Sequence, residues 1–175
     1  MSLDHLWAGW RSSYVEGYED PTDAADGDGA AGAGSSCTFC ALIGSDLPEE
    51  ERFVVWSGSG VLAILNLYPY APGHLLVMPK RHVRELDELT EAEASELWAA
   101  LGQAVAALKR AYRPDGCNIG ANLGRAAGAG IPGHLHLHAV PRWLGDTNFM
   151  TATAAVRVLP EPIDVSWTKL RSAWR

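Results

Sequence analysis

The sequence predicts an α+β domain in which one long helix covers a central antiparallel β-sheet. Short aliphatic and β-branched runs alternate with Gly and Pro turns, one long segment has helical periodicity, and a stretch of alternating histidine and leucine follows it. The resulting order, β-β-β-α-β-loop-β, leaves few parallel crossovers. This order favours α+β over a doubly wound parallel sheet.

The first three strands are predicted at apolar runs that Gly or Pro turns separate. These runs cover residues 53–56, 61–67 and 74–79. Because each run is short and the connections are tight, we expect successive antiparallel strands.

The long helix is predicted to begin after Thr90, which forms a capping box with Glu93. Apolar residues then recur at helical spacing at Leu97, Leu101, Val105 and Leu108. Pro114 ends this pattern, because proline cannot continue a helix. A strand around residues 117–121, a Gly/Ala-rich loop and the histidine strand complete the domain.

The chain has 175 residues, which is most simply one domain with enough core to need no disulfide. Residues 1–18 are rich in Trp and Tyr, and we predict that this segment packs on the domain or on a partner chain. Residues 19–36 are rich in Gly, Ala and Asp and lack a large apolar side chain, so we predict a flexible loop there. The core domain is predicted at residues 37–150, followed by a C-terminal extension at residues 151–175.

The composition argues against several classes of function. A formal net charge of −7 and an isoelectric point near 5.3 argue against binding a nucleic-acid polymer, because phosphate backbones are bound mainly by dense Lys and Arg. No apolar run is long enough to span a membrane. Three cysteines without a signal-peptide pattern predict reduced thiols or metal ligands and a cytoplasmic location.

The histidine run is the main candidate for chemistry. Side chains of an extended strand alternate between faces, so His134, His136 and His138 are predicted to share one face while the intervening leucines enter a core. A purification tag, a low-complexity metal-binding tract and a strand with incidental histidines are weaker alternatives, since tags lie at termini and lack alternating leucines. Imidazole can serve as nucleophile, proton donor or metal ligand near neutral pH.

The loop before the histidines matches a dinucleotide fingerprint, G-x-G-x-x-G, in its letters only. These letters are residues 128–133. The fingerprint needs a helix to open within it, whereas Pro132 leads here into a strand, so we expect no dinucleotide-binding fold. The loop could still hold an anion through its backbone amides.

Cys37 and Cys40 form a CxxC pair, which is compatible with a metal site, a redox dithiol or free thiols. A thioredoxin-like dithiol needs a βαβ unit, and the flanking pattern predicts none. A zinc site needs two further ligands. Cys117 is interpreted as a small buried strand residue and His74 as a structural one.

Taken together, these residues resemble the histidine triad (HIT) superfamily, whose signature alternates histidine with apolar residues. The resemblance extends to Asn66-Leu67-Tyr68-Pro69-Tyr70, Pro72-Gly73-His74-Leu75-Leu76-Val77, Pro79-Lys80-Arg81-His82-Val83, Asn118-Ile119-Gly120 and Trp143-Leu144-Gly145-Asp146-Thr147-Asn148-Phe149. It covers most of the chain from Cys37 to about Met150. Within the superfamily the chain most resembles a bacterial and archaeal branch of diadenosine tetraphosphate hydrolase-like or phosphorylase-like proteins, which share Leu6-Trp7, the Cys37-x-x-Cys40 pair and the segment from Trp143 to Phe149. The resemblance implies a HIT-like fold and a homodimer.

The resemblance implies catalytic roles for two histidines. His136 matches the nucleophile that forms a covalent nucleotidyl-histidine, and His138 matches the residue that bonds the phosphate and assists the leaving group. The ring nitrogen of His136 that does not attack must keep its proton, held by a backbone carbonyl or a similar acceptor.

The resemblance also implies substrate contacts. Asn66 matches a ribose-binding position and Asn122 a phosphate-binding one, although each could be an ordinary turn or strand-end amide. Gly128, Gly130 and Trp143 flank the histidine strand, where a leaving group or an incoming phosphate would pass. Many relatives carry Gln or Ser near Gly130, and this chain has neither there.

A structural zinc site is implied in the same way. Relatives with the CxxC pair complete the site with two histidines, which here are His82 and His134 alongside Cys37 and Cys40. Two thiolates and two imidazoles make a closed tetrahedral set that leaves no bound water to activate.

The function implied is cleavage of a phosphoanhydride in a dinucleoside polyphosphate or a related nucleotide. One alternative is a phosphorylase or nucleotide-sugar nucleotidyltransferase, which differs in the acceptor that resolves the intermediate. Another is a nucleotide-binding sensor without turnover. Intact His136 and His138 favour catalysis, because binding alone would not need a nucleophile.

Overall fold

The computed structural model describes residues 37–146 and 160–175. Its α-helices are α1 (Thr38–Ile43), α2 (Glu91–Tyr112) and α3 (Ile163–Ala173). Its strands are β1 (Val54–Ser57), β2 (Val61–Leu65), β3 (Leu75–Pro79), β4 (Gly116–Ala121) and β5 (Leu137–Arg142). Short 3₁₀ helices cover Leu86–Glu88 and Arg125–Ala127. The predictions for residues 1–36 and 147–159 lie outside the described residues.

The five strands form one antiparallel sheet in the order β1-β2-β3-β5-β4. The predicted α+β class, with an antiparallel sheet and a long helix packed on it, is confirmed. None of the helices in the described ranges is long and apolar enough to cross a membrane.

The long helix begins as predicted. The Thr90 side chain accepts from the Glu93 backbone N–H, and the Glu93 carboxylate accepts from the Thr90 N–H, which completes the capping box. Val105 is only half-buried, and the stripe of α2 that contacts the sheet includes small residues that were not predicted. Its buried members are Leu97, Ala100, Leu101, Ala104, Ala107 and Leu108. The alanines let the helix axis lie close to the sheet.

Two apolar clusters lie on opposite faces of the sheet. The larger joins α2 to inward-facing strand residues such as Val77, Leu137 and Ala139. The smaller, on the other face, contains Phe39 of α1 and strand residues such as Leu76. Because strand side chains alternate, residues next to Leu137 point to the face that carries Phe39.

The histidine strand starts later than predicted, at Leu137. Continuing the register of β3 and β5 would set Leu135 opposite Pro79, which has no N–H to donate. Instead, Leu135 N–H donates to the Val83 carbonyl at 2.7 Å, and the Pro79 carbonyl accepts from His134 Nε2 at 2.9 Å. The predicted alternation nevertheless holds, since Leu135 and Leu137 are buried in the cluster under α2.

The C-terminal helix α3 covers the outer edge of β1. Trp167 Nε1 donates to the Val54 carbonyl and Arg171 Nη1 to the Val55 carbonyl, each at 2.9 Å. The Trp174 ring stacks on Trp56 with centroids 5.6 Å apart. Side chains therefore satisfy edge-strand carbonyls that another chain could otherwise pair with.

We predict that Glu93→Ala lowers the free energy of unfolding at pH 7 by about 1 kcal/mol, the usual value of a helix cap, because it removes the acceptor of the Thr90 N–H. Hydrogen bonds from Arg81 and from the Thr90 backbone hold the pKa of Glu93 at about 2, below its ordinary 4.5. A lowered pKa stabilises the fold above pH 4.5, and the stabilisation is lost as the pH falls towards 2. The measurement is urea unfolding from pH 7 to pH 3.

The matched control is Glu91→Ala, which removes a carboxylate from the same first turn without removing the capping bonds. The two variants should differ most at pH 7 and converge in acid. A pH-independent difference would contradict this account.

Candidate active site and metal centre

The three triad histidines lie on the sheet face opposite α2. His134 and His136 are 1% and 6% exposed, and the rings of His136 and His138 are 5.1 Å apart. Phe39 contacts the rings of His134 and His136 on this face. The common face predicted for the imidazoles is therefore present.

His136 is held in one tautomer by the main chain. Its Nδ1 lies 2.8 Å from the His134 carbonyl oxygen, which can only accept, so Nδ1 carries the proton. The lone pair is then on Nε2. A neutral imidazole with a free Nε2 lone pair is a competent nucleophile.

His138 is oriented by a second, fully buried histidine, His74. The Tyr70 backbone N–H donates to His74 Nδ1 at 3.1 Å, so the proton of His74 lies on Nε2. His74 Nε2 then donates to His138 Nδ1 at 2.9 Å. The remaining proton of His138 is therefore on Nε2, which is buried and has no hydrogen-bond partner among the described residues. Buried donors are normally paired, so this Nε2–H is available to an acceptor on a bound group.

Burial lowers the pKa of His138, and the neighbouring His136 lowers it further. His138 is thus neutral at pH 7 in this arrangement, and its Nε2–H is a hydrogen-bond donor. The interpretation of His74 as merely structural missed its contact with His138. The contact arises because β3 and β5 pair with Leu76 opposite His138, which brings the start of β3 alongside.

Asn66 is part of the same chain of hydrogen bonds. Its Oδ1 accepts from the Tyr68 backbone N–H at 3.0 Å, which identifies Nδ2 as the donor to His74 Nδ1 at 3.3 Å. Asn66 is only half-buried. It therefore both forms the turn after β2 and supports the His74 ring.

The glycine loop lies beside the histidine face, since Ile131 packs against the cluster around Phe39. Asn122 Nδ2 donates to the Gly128 carbonyl at 3.2 Å, and Gly128 has a left-handed φ of +90°. A Cβ added at Gly130 would have no atom within 4 Å. Asn122 thus shapes the loop, and position 130 could accept a side chain.

Trp143 is not brought to the histidines. Its ring lies edge-on to Tyr112 of α2 with centroids 6.3 Å apart, on the helix-covered side. The contact places the ring on the opposite side of the sheet from His138.

Four ligand atoms converge where α1 meets the histidine segment. They belong to Cys37, Cys40, His82 and His134 and lie within 4.8 Å of one another. Cys40 Sγ is 3.2 Å from His82 Nδ1, and His134 Nδ1 is 3.5 Å and 3.6 Å from the two sulfurs. In a tetrahedral zinc site with usual bond lengths, sulfur and nitrogen ligands are about 3.5 Å apart. The donor set and spacing fit zinc.

The protonation of these groups fits the same metal. His134 Nε2 donates to the Pro79 carbonyl, which leaves Nδ1 as the ligand atom and forms the usual outer contact of a metal-bound histidine. Burial, together with a hydrogen bond and charge from Cys37, raises the pKa of Cys40 to about 11. A cation held between the two sulfurs would reverse this effect, because it would stabilise both thiolates. Redox-active CxxC pairs have a lowered thiol pKa, so the raised pKa of Cys40 argues against a redox role.

Cys117 lies apart from this cluster, half-buried in β4, and burial raises the pKa of its thiol. It is opposite Pro141 in the sheet. It is therefore a strand residue, as predicted, but half-buried and not fully buried.

Comparison with known proteins identifies a protein family and relatives that agree with the fold and the motifs described above. The HIT domain family model matches residues 48–143. The chain is 40% identical to an AP-4-A phosphorylase of Mycobacterium tuberculosis over 172 residues, which is 98% of this chain and 85% of that protein.

Solved structures give the same result. A zinc-bound histidine triad family protein from Mycobacterium smegmatis is 32% identical with a TM-score of 0.64, and the match covers 79% of this chain and 92% of that one. A hypothetical histidine triad nucleotide-binding protein from Sulfolobus tokodaii is also 32% identical with a TM-score of 0.64, over 78% and 91% of the two chains. With the sequence motifs and the fold already described, these matches establish that the chain belongs to the HIT domain family.

Proposed function

We propose that this chain is an enzyme that cleaves a phosphoanhydride of a dinucleoside polyphosphate through a nucleotidyl-histidine on His136. The observation that carries the proposal is the distribution of protons at the site. His136 keeps its proton on Nδ1 and presents a lone pair on Nε2, while His138 presents a buried, unpaired Nε2–H beside it. A nucleophile next to a donor is what displacement at phosphorus needs.

The proposed reaction has two displacements. His136 Nε2 attacks the phosphorus that bears the nucleoside, the phosphoanhydride P–O bond breaks, and a nucleoside polyphosphate leaves. His138 Nε2–H bonds the phosphate and assists the departing oxygen. An acceptor oxygen then attacks the same phosphorus, the N–P bond breaks, and His136 returns to its neutral form.

Substrate contacts are proposed for residues around this pair. Asn66 would bond the ribose hydroxyls, with its half-buried position beside His74 in support. Asn122, Gly128 and Gly130 would hold phosphate through the loop, which packs on the histidine face through Ile131. Direct contact by Trp143 has less support, because its ring packs on Tyr112.

Zinc is proposed for the Cys37, Cys40, His82 and His134 cluster, where it would act as a structural cross-link. Support comes from the ligand distances and from the zinc-bound relative in M. smegmatis. The closed ligand set would leave it no role in activating water.

We also propose that the chain forms a homodimer, as the family resemblance implies. The exposed Ile119 of edge strand β4 is compatible with it.

The acceptor has two candidates, water and inorganic phosphate. Phosphate is favoured by the M. tuberculosis relative named AP-4-A phosphorylase, at 40% identity. It is also compatible with Gly130, which supplies no side chain to position a water molecule. Backbone amides of a glycine loop can hold a small anion.

We predict that His136→Ala lowers turnover of diadenosine tetraphosphate by about a thousandfold or more, because it removes the nucleophile. Nucleotide affinity should stay measurable, since ribose and loop contacts remain. The measurements are steady-state rates, equilibrium binding and mass spectrometry of the quenched wild-type enzyme, in which the adduct should map to His136.

His138→Ala is the comparison variant, in which the adduct should still form on His136, but more slowly. Wild-type turnover by His136→Ala, or an adduct on another histidine, would reject the mechanism.

We predict about one zinc per chain by elemental analysis, and its loss in Cys37→Ser. Because metal binding is coupled to folding, this variant should melt about 5 °C lower or more. Cys117→Ser is the matched control, since that thiol lies outside the cluster, and it should keep its zinc. Zinc-free protein whose melting is unchanged by a chelator would refute the site.

We predict that phosphate diverts the product of diadenosine tetraphosphate cleavage from AMP to ADP, with ATP as the other product in both cases. The reaction is run in phosphate and in a non-coordinating buffer. Gly130→Ser should raise the AMP share, because a hydroxyl there can position water. Gly102→Ser, at an exposed position on α2, is the control. If AMP is formed without ADP in every condition, phosphate is not the acceptor and the reaction is hydrolysis.

A further inference from the structure

The segment that carries the nucleophile lies outside the sheet ladder. Strand β5 begins at Leu137, one residue after His136. The backbone before it is tied down by the bond from Leu135 N–H to the Val83 carbonyl. The direction of the His136 ring therefore depends strongly on side-chain contacts.

His134 connects the ligand cluster to the nucleophile. Its imidazole faces both cysteine sulfurs through Nδ1 and is fixed on its other side by the Pro79 carbonyl. Its own carbonyl accepts the Nδ1–H of His136 at 2.8 Å. Whatever fixes the His134 side chain therefore also fixes the acceptor that sets the His136 tautomer.

Phe39 makes a second connection. It lies in α1 between the two cysteines and is only 5% exposed. Its ring is 5.5 Å from the His134 ring, nearly perpendicular at 80°, and 5.1 Å from the His136 ring at 62°. Such edge contacts favour particular ring orientations. Phe39 therefore abuts one ligand of the cluster and the nucleophile at once.

We propose that the metal centre and Phe39 together position the His136 ring for attack, so that metal occupancy and Phe39 govern the rate of nucleotidyl-histidine formation but not nucleotide affinity. The inference rests on the proposed function and on the proposed metal. Phe39 and His134 are positioning residues, since each acts through His136. A displacement of about 1 Å at a reacting group can cost about a hundredfold in rate.

The test compares Phe39→Leu with Thr38→Ala, an exposed position in the same helix. Rapid-quench mass spectrometry measures adduct formation in a single turnover, and equilibrium binding measures nucleotide affinity. Phe39→Leu should slow adduct formation about tenfold to a hundredfold with affinity within about twofold. Thr38→Ala should match the wild type.

The metal is followed independently of activity. Cobalt(II) is exchanged into each variant, and the visible absorption of a thiolate-bound cobalt ion reports the ligand set. Phe39→Leu should keep this absorption while its adduct forms slowly. Wild-type protein from which a chelator has removed the metal should likewise form the adduct slowly and keep its nucleotide affinity.

Adduct formation in Phe39→Leu as fast as in Thr38→Ala overturns the inference, as does a loss of affinity with an unchanged rate at saturation. If Phe39→Leu does not fold, Phe39→Met, which keeps an unbranched apolar side chain, replaces it under the same criteria. Full turnover by His136→Ala would instead overturn the proposed function, so the two failures are distinguishable.

Discussion

The antiparallel pairing of β3 with β5 is the constraint on which the candidate site depends. Its register sets Leu76 opposite His138, which brings His74 beside the last triad ring. The same alternation turns Leu137 and Ala139 into the cluster under α2. A shift of one residue would send every one of these side chains to the other face. Packing of the leucines therefore fixes the position of the histidines, so core and site depend on one register.

Features that are local in sequence could be predicted from it. The shared face of the histidines follows from a period of two, and the start of α2 follows from Thr90 and Glu93 three residues apart. Trp143 could have been placed by the same rule, since it is an odd number of residues from His138 and alternation then puts it on the opposite face. Its expected place beside the histidines followed only from its nearness in sequence.

Features that depend on pairing between distant segments could not be predicted. The late start of β5 depends on Pro79, and the orientation of His138 depends on His74, which lies 64 residues earlier. The tautomer of that pair depends in turn on the Tyr70 backbone N–H. Spacing within one segment carries no information about these partners. The four ligand positions came from family resemblance, and the structure brings them together.

The helix that carries the cysteines shows why a structural metal would affect chemistry here. Helix α1 has six residues, too few to be stable in isolation, and Phe39 is its one buried residue. A metal held by Cys37, Cys40, His82 and His134 would cross-link α1 to the rest of the domain. Such a cross-link would hold α1 in place more firmly than the burial of Phe39 alone. A closed ligand set cannot bind substrate, so its influence must pass through packing. The groups available for that are the Phe39 ring and the His134 carbonyl, and both contact the nucleophile.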